Sequence, residues 1–217
     1  MEVYHLLHAL YGDQNWWPAQ SPFEMMVGAI LTQNTRWENV EDAIQNLKHA
    51  SMLNPESIIS SDREQLESLI RPSGFFRQKS RRLIELSNFL LAHNGTRGLK
   101  RWATQCLRAR LLEVHGIGPE TADSILLYAL DKPVFVVDAY TKRIFSRIGM
   151  FEASMTYDDV QNFFFQRLPN SLQLFQEFHA LIVEHAKQHC SSKPQCDGCP
   201  LFNICITASE IDRLSDL

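Results

Sequence analysis

An all-α fold is predicted by three observations. Apolar residues recur at helical spacing along most of the chain, helix-start signals punctuate it, and only one short run has the composition of a strand. The clearest start is Ser21-Pro22-Phe23-Glu24, with Ser at the N-cap, Pro at the first helical position and Glu at the third. It opens the apolar helix MMVGAILTQ. WENVEDAIQNLKHA, DREQLESLI, QKSRRLIELSNFLLAHNG with Gly95 after its end, and LKRWATQCLRARLLEV continue the helical pattern. LLEVHGIGPETADSILLYAL, residues 111 to 130, is two helices cut by Gly116-Ile117-Gly118-Pro119. The run from Lys132 to Val137 is β-branched, but one strand without partners makes no sheet, so it is predicted as a buried extended connector. AYTKRIFSRIGM, TYDDVQNFFFQRL and SLQLFQEFHALIVEHAKQHC then return to helix before a Cys-rich tail.

At 217 residues and 45% hydrophobic content the chain is long enough for one large domain or two small ones, with the most plausible boundary near residues 131 to 134. The N-terminus lacks a basic leader region and no eighteen apolar residues follow one another, which predicts a cytoplasmic protein without a membrane span. Five cysteines in a reducing compartment suggest metal ligands or buried thiols rather than a disulfide framework. The net charge of −4 conceals an asymmetry: residues 71 to 110 hold ten Lys/Arg and one acid, while the rest of the chain is acidic. A concentrated basic segment on an acidic protein points to a polyanionic partner.

The hinge at Gly116 to Pro119 leaves backbone N–H groups unpaired at the start of the second helix, where the helix dipole also favours negative charge. Gly116 and Gly118 permit positive φ and close approach, so the turn can hold a phosphate, although spacing alone equally admits a structural helix-helix turn. Asp138 follows the connector and precedes a helix, which is an N-cap position as well as a place for a fixed carboxylate. Trp16, Trp17 and Pro18 precede the first apolar helix and Trp37 follows it, as core or as a stacking box. Cys190, Cys196, Cys199 and Cys205 form C-x5-C-x2-C-x5-C, a four-thiolate pattern that suits zinc or a [4Fe–4S] cluster. Cys106 is left over as a helix-face thiol.

GIGPETADSILLYAL followed by VFVVDAYTKRI, together with LTQNTR and the four-Cys tail, resembles the endonuclease III family of helix-hairpin-helix DNA glycosylases. The resemblance implies a two-lobed fold: a six-helix barrel over 18–132 containing the hairpin at about 111–130, and a second lobe from 1–17 plus 133–217 carrying a cluster loop at 190–205, with a DNA groove between them. It assigns Asp138 as the catalytic carboxylate, which would stabilise an oxocarbenium-like sugar and orient water. Glu120 stands where members that also nick the abasic strand have a Lys nucleophile, so the resemblance implies a monofunctional enzyme. Gln33 matches the family's gap-filling residue and Phe75 its apolar wedge, with Arg77 and Lys79 placed to reach phosphates.

WWP, QNTRWE and RPSGFFRQKSRRLIELS look most like the 3-methyladenine glycosylase branch, which implies an aromatic base pocket and, at Lys187, a pocket-bordering lysine. The family's tail implies a structural [4Fe–4S] cluster, here with a first gap one residue shorter, and a loop in which Lys193 reaches phosphate. The expected protein is thus a monomeric base-excision-repair glycosylase acting on alkylated purines in damaged double-stranded DNA. Two alternatives stay open: a glycosylase for an oxidised pyrimidine or mismatched base, and a helix-hairpin-helix binding protein without catalysis.

Overall fold

The computed structural model describes residues 1–215, with side chains through residue 211. All regular structure among the described residues is helical. After α1 (Glu2–Tyr11), α2 (Pro22–Leu31) begins at the predicted cap, where Ser21 Oγ accepts the Glu24 N–H at 3.1 Å. The reciprocal bond differs from a full capping box. Glu24 accepts from the Gln20 N–H at 3.3 Å instead, and its other oxygen pairs with Lys48 at 2.8 Å, so a carboxylate that is only 5% exposed has a partner for each oxygen.

Next come α3 (Trp37–His49), α4 (Pro55–Ser60), α5 (Arg63–Leu69) and α6 (Phe76–Ala92). Of the helix predicted over LKRWATQCLRARLLEV, residues 99 to 114, the part that forms is α8 (Thr104–Leu112), and a separate short helix, α7 (Gly95–Leu99), precedes it. Ala103 between them is extended, and Lys132 Nζ donates to the carbonyls of Lys100 and Trp102, at 3.2 and 2.8 Å, that the break leaves open. α9 (Pro119–Ser124) runs on as a π-helical turn, Ile125–Ala129, where the Leu130 N–H reaches back five residues to Ile125. α10 (Ala139–Ile148), α11 (Tyr157–Phe165), α12 (Leu172–Gln188) and α13 (Ile206–Ser215) follow. α1, α4, α7 and α13 are additions to the predicted set; α4 had a legible signal in Asn54-Pro55, whose Asn54 side chain caps the Ser57 N–H.

The chain divides into two compact units, Met1–Trp16 with Pro133–Leu217, and Trp17–Lys132. The second unit is built around α2, whose Met25, Met26, Val27, Ile30 and Leu31 are buried and which packs against α3, α6 and the π turn, elements that bury Val40 and Leu47, Leu83, Leu86 and Leu90, and Leu126 in turn. The first unit has an aromatic core. Phe135 stacks on Phe164 at 4.0 Å and meets Phe175 edge-on at 5.6 Å, while Phe145 meets Phe164 edge-on at 4.8 Å. Each such pair is worth about 0.5–1.5 kcal/mol beyond its buried area.

The connector predicted before Asp138 has no regular secondary structure and no strand partner among the described residues. Val134, Phe135, Val136 and Val137 are buried, and side chains take the place of a sheet. Gln161 Nε2 donates to the Phe135 carbonyl at 2.7 Å, and the Val137 N–H donates to the Tyr157 hydroxyl at 3.3 Å. These bonds satisfy buried backbone polar groups and fix the position from which Asp138 projects.

Candidate active site

Asp138 is the N-cap of α10 and is 9% exposed. Its Oδ1 accepts from the Thr141 N–H at 2.7 Å and from Thr141 Oγ1 at 2.8 Å, while Oδ2 lies 3.6 Å from His179 Nε2. Burial pushes the carboxyl pKa upward, but the hydrogen-bonding capacity and charge of His179, together with both Thr141 bonds, outweigh it. They hold the group below its ordinary value of 3.8. A buried carboxylate kept ionised in this way suits electrostatic stabilisation of a developing cation or orientation of water, and it is a poor proton donor. His179, 4% exposed on α12, packs its ring 5.5 Å from that of Trp16. The sequence reading missed His179; its signal was a histidine among Phe175, Phe178 and Ile182 on the apolar face of one helix.

In the other unit, the hairpin turn joins α8 to α9 and is stapled by Arg108, whose guanidinium holds the fully buried Asp123 through two bonds of 2.7 and 3.1 Å. Gly116 has φ +85, and a Cβ there would stand 2.4 Å from Arg82 Cγ, so both conformation and space require glycine. Of the two glycines, Gly118 does not use the positive φ open to it. Its φ is −91, an ordinary extended N-cap, and nothing lies within 4 Å of the place a Cβ would occupy. What Gly118 provides is open space at the helix N-terminus. Pro119 and Glu120 are exposed beside it.

Gln33, just beyond the end of α2, is tied into this turn. Its Nε2 donates to the Gly116 carbonyl at 3.3 Å and to Thr121 Oγ1 at 2.9 Å, and its Oε1 accepts from Arg82 Nη1. The turn at Phe75 is equally defined. Phe75 is 62% exposed and left-handed at φ 45, a conformation that costs a β-carbon-bearing residue about 1–2 kcal/mol. Arg77 is exposed next to it. Lys79 is not available to phosphate: it is 1% exposed, and its ammonium donates to the carbonyls of Leu31 at 2.8 Å and Ser73 at 2.6 Å. Desolvation, with a smaller contribution from Arg82, lowers its pKa to about 8. The basic segment is therefore partly spent on structure, because Arg82, Lys100, Arg108 and Arg110 also pair with Gln33, Asp131, Asp123 and Glu113.

The predicted aromatic box is found in two places. Trp17 meets Trp37 edge-on at 5.4 Å and Tyr128 at 5.6 Å, and lies over Gly28, where an added Cβ would come within 3.4 Å of the indole. Trp16 stands with His179 in the other unit. Pro18 and Lys187 are exposed.

Cys190, Cys196, Cys199 and Cys205 line one cavity together with Arg147, His185 and His189. Arg147 Nη1 donates to Cys190 Sγ at 3.2 Å and His185 Nε2 lies 3.8 Å from Cys199 Sγ. Burial pushes the Cys196 and Cys199 thiols up, and the negative charge of neighbouring cysteines adds to it. Among the described residues no three His, Cys, Asp or Glu side chains converge closely enough to hold a single ion. Lys193 is exposed on this loop, and Cys106 is exposed on α8.

Residues 27–170 match the model of the HhH-GPD superfamily of base excision DNA repair proteins. The chain belongs to that superfamily. This HhH-GPD protein is 48% identical over 209 residues to a protein of Methanocaldococcus jannaschii named as a DNA repair glycosylase, covering 95% of each chain. It is 30% identical to endonuclease III of Thermotoga maritima, over 85% of this chain and 82% of that one. Among solved structures, the 3-methyladenine DNA glycosylase of H. pylori, bound to 1,N6-ethenoadenine, superposes with a TM-score of 0.75 at 36% identity, covering 86% of this chain and 96% of that one. The family and branch that the motifs resembled are thereby supported. The HhH-GPD protein is a base-excision DNA glycosylase by family, and no helix among the described residues is long and apolar enough to cross a membrane.

Proposed function

We propose that this protein is a monofunctional glycosylase that releases alkylated purines of the 3-methyladenine type from double-stranded DNA. The observation that carries the proposal is Asp138, a buried carboxylate held ionised by Thr141 and His179. Cleavage of an N-glycosidic bond leaves positive charge on the sugar; Asp138 stabilises that charge and orients the attacking water. No proton needs to come from Asp138 when the leaving base is already cationic. Such a base also stacks favourably on indole, at about 0.5–2 kcal/mol per contact. The resemblance to the 3-methyladenine branch makes Trp16, Trp17, Pro18, Trp37 and Lys187 candidates for contact with the base, and the etheno-adenine on the H. pylori relative supports a purine ligand.

Water, rather than an amine, is the nucleophile. Glu120 stands in the place of the lyase lysine and cannot form a Schiff base. Lys142, the nearest amine in sequence to Asp138, donates to the Met155 carbonyl, and Lys79 is closed off by two carbonyls. Gly116 and Gly118 serve backbone binding of phosphate, Arg77 and Lys193 add charge to it, and Gln33 and Phe75 enter the duplex where the base leaves. The four cysteines hold a structural [4Fe–4S] cluster. The four thiols line one cavity, and as thiolates they would hold the cluster through its irons. The protein acts as a cytoplasmic, DNA-associated monomer.

The test is chromatography of bases freed from methylated duplex DNA. Release of 3-methyladenine without a borohydride-trappable adduct supports the proposal; a trapped adduct overturns the monofunctional assignment. Release only from duplexes carrying an oxidised pyrimidine or a mismatch would favour the second reading, an enzyme closer in specificity to its endonuclease III relatives.

A further inference from the structure

Lys79 is the largest side chain buried below 2% exposure, and nothing in the proposed chemistry uses it. A lysine is almost never fully buried without a compensating set of acceptors, because moving an ammonium out of water costs several kcal/mol. The acceptors here are two backbone carbonyls from separate segments. One is Leu31, the last residue of α2, two residues before Gln33. The other is Ser73, two residues before Phe75. Lys79 is also in the first turn of α6, where its N–H donates to the Phe75 carbonyl at 3.0 Å.

Each of the two segments needs an external brace. The α2 end leaves carbonyls without intrahelical partners, and the loop after it leads directly to Gln33. Phe75 occupies a strained left-handed conformation, which persists only where its surroundings over-determine the backbone. Ser73 supplies part of that restraint, its Oγ donating to the Ile70 carbonyl at 2.8 Å; the ammonium supplies the part that reaches across to α2. A hydrophobic side chain could fill the same volume but could not bind both carbonyls, and a carboxylate would be repelled by them.

We infer that Lys79 is a positioning residue that couples the Gln33 loop to the Phe75 turn, so that the two side chains enter DNA as one preorganised unit. The inference rests on the reading of Gln33 and Phe75 as the inserting residues. A rigid pair meets its ordering cost once, before DNA arrives, whereas two independent loops would each meet it on binding.

Groups that act as a unit give non-additive losses, and a double-mutant cycle measures this. The holoprotein is titrated by fluorescence anisotropy against a duplex containing a stable abasic-site analogue, using wild type, Gln33→Ala, Phe75→Ala and the double variant, then the same set carrying Lys79→Met. With Lys79 present, the double variant should bind at least about threefold more tightly than the product of the two single losses predicts. In the Lys79→Met background the two losses should multiply. Lys79→Gln, whose amide still reaches toward one carbonyl, should keep part of the coupling. Additive losses in the presence of Lys79 overturn the inference even if Lys79→Met does not fold, and coupling of unchanged size in Lys79→Met overturns it as well. Should neither single variant weaken abasic-site binding, the failure lies with the assignment of Gln33 and Phe75, which a purely structural Lys79 would leave untouched.

Discussion

Replacing Asp138 tests its proposed catalytic role apart from its capping role, because the two carboxylate oxygens have different partners. Oδ1 caps α10 through the Thr141 N–H and hydroxyl, while Oδ2 faces His179 at 3.6 Å. Asn keeps an oxygen for the cap and lacks the charge. Asp138→Asn should therefore retain the helix while losing stabilisation of the cationic sugar. Removing a single preorganised electrostatic group from a water-poor site typically costs about 2.7–4 kcal/mol, so base release should fall roughly 100- to 1,000-fold. Asp138→Ala removes the cap too, at about 1 kcal/mol. For a chain of this size that lowers Tm by a further 2–4 °C or so relative to Asp138→Asn. The assay is single-turnover release of 3-methyladenine from methylated duplex, run beside thermal melting and duplex binding for each variant. Base release by Asp138→Asn at the wild-type rate would refute the assignment of Oδ2 to catalysis. Unfolding of Asp138→Asn would show that the charge serves the fold.

Three other outcomes follow from the geometry. His179→Leu removes the group that does most to hold the Asp138 pKa down against burial, so the acid limb of the rate profile, below about pH 3.8 in wild type, should move upward; a limb that stays in place refutes the pairing. The sign for stability is the same: a carboxyl with a lowered folded-state pKa stabilises the fold above its unfolded value, and acidification through the folded value removes that contribution. Arg108→Ala removes two hydrogen bonds and the countercharge from the fully buried Asp123 and should destabilise the protein by on the order of 3 kcal/mol, the low end for a buried pair because Arg108 is itself 22% exposed; denaturant unfolding measures it. Gly116→Ala forces a left-handed alanine and displaces Arg82 from Gln33, so Tm should fall by several degrees, for a cost of about 1–2 kcal/mol, and affinity for duplex DNA should fall with it.

How much of the site was legible depended on whether the signal was local. The cap at Ser21, the break at Gly116 and the cap at Asp138 were readable because each is decided within four residues, by φ limits and by side-chain bonds to neighbouring N–H groups. The four cysteines were readable because their sequence spacing already limits their separation. The break between α7 and α8 was not, since the acceptors it opens are satisfied by Lys132 from thirty residues away.

Lys79 and His179 mark the limit of reading by type. A lysine in a basic run two residues from an exposed arginine reads as a phosphate ligand, and a histidine on an apolar helix face reads as core packing. Sequence alone determined the helical class, the hairpin and the cap at Asp138, because periodicity, glycine conformation and short-range capping are properties of adjacent residues. Tertiary structure decided which charges meet water. Lys79 is turned onto the carbonyls of Leu31 and Ser73, and Asp138 is paired with His179 from α12. Burial and long-range pairing set the energy of an ion, and neither is fixed until distant segments are brought together.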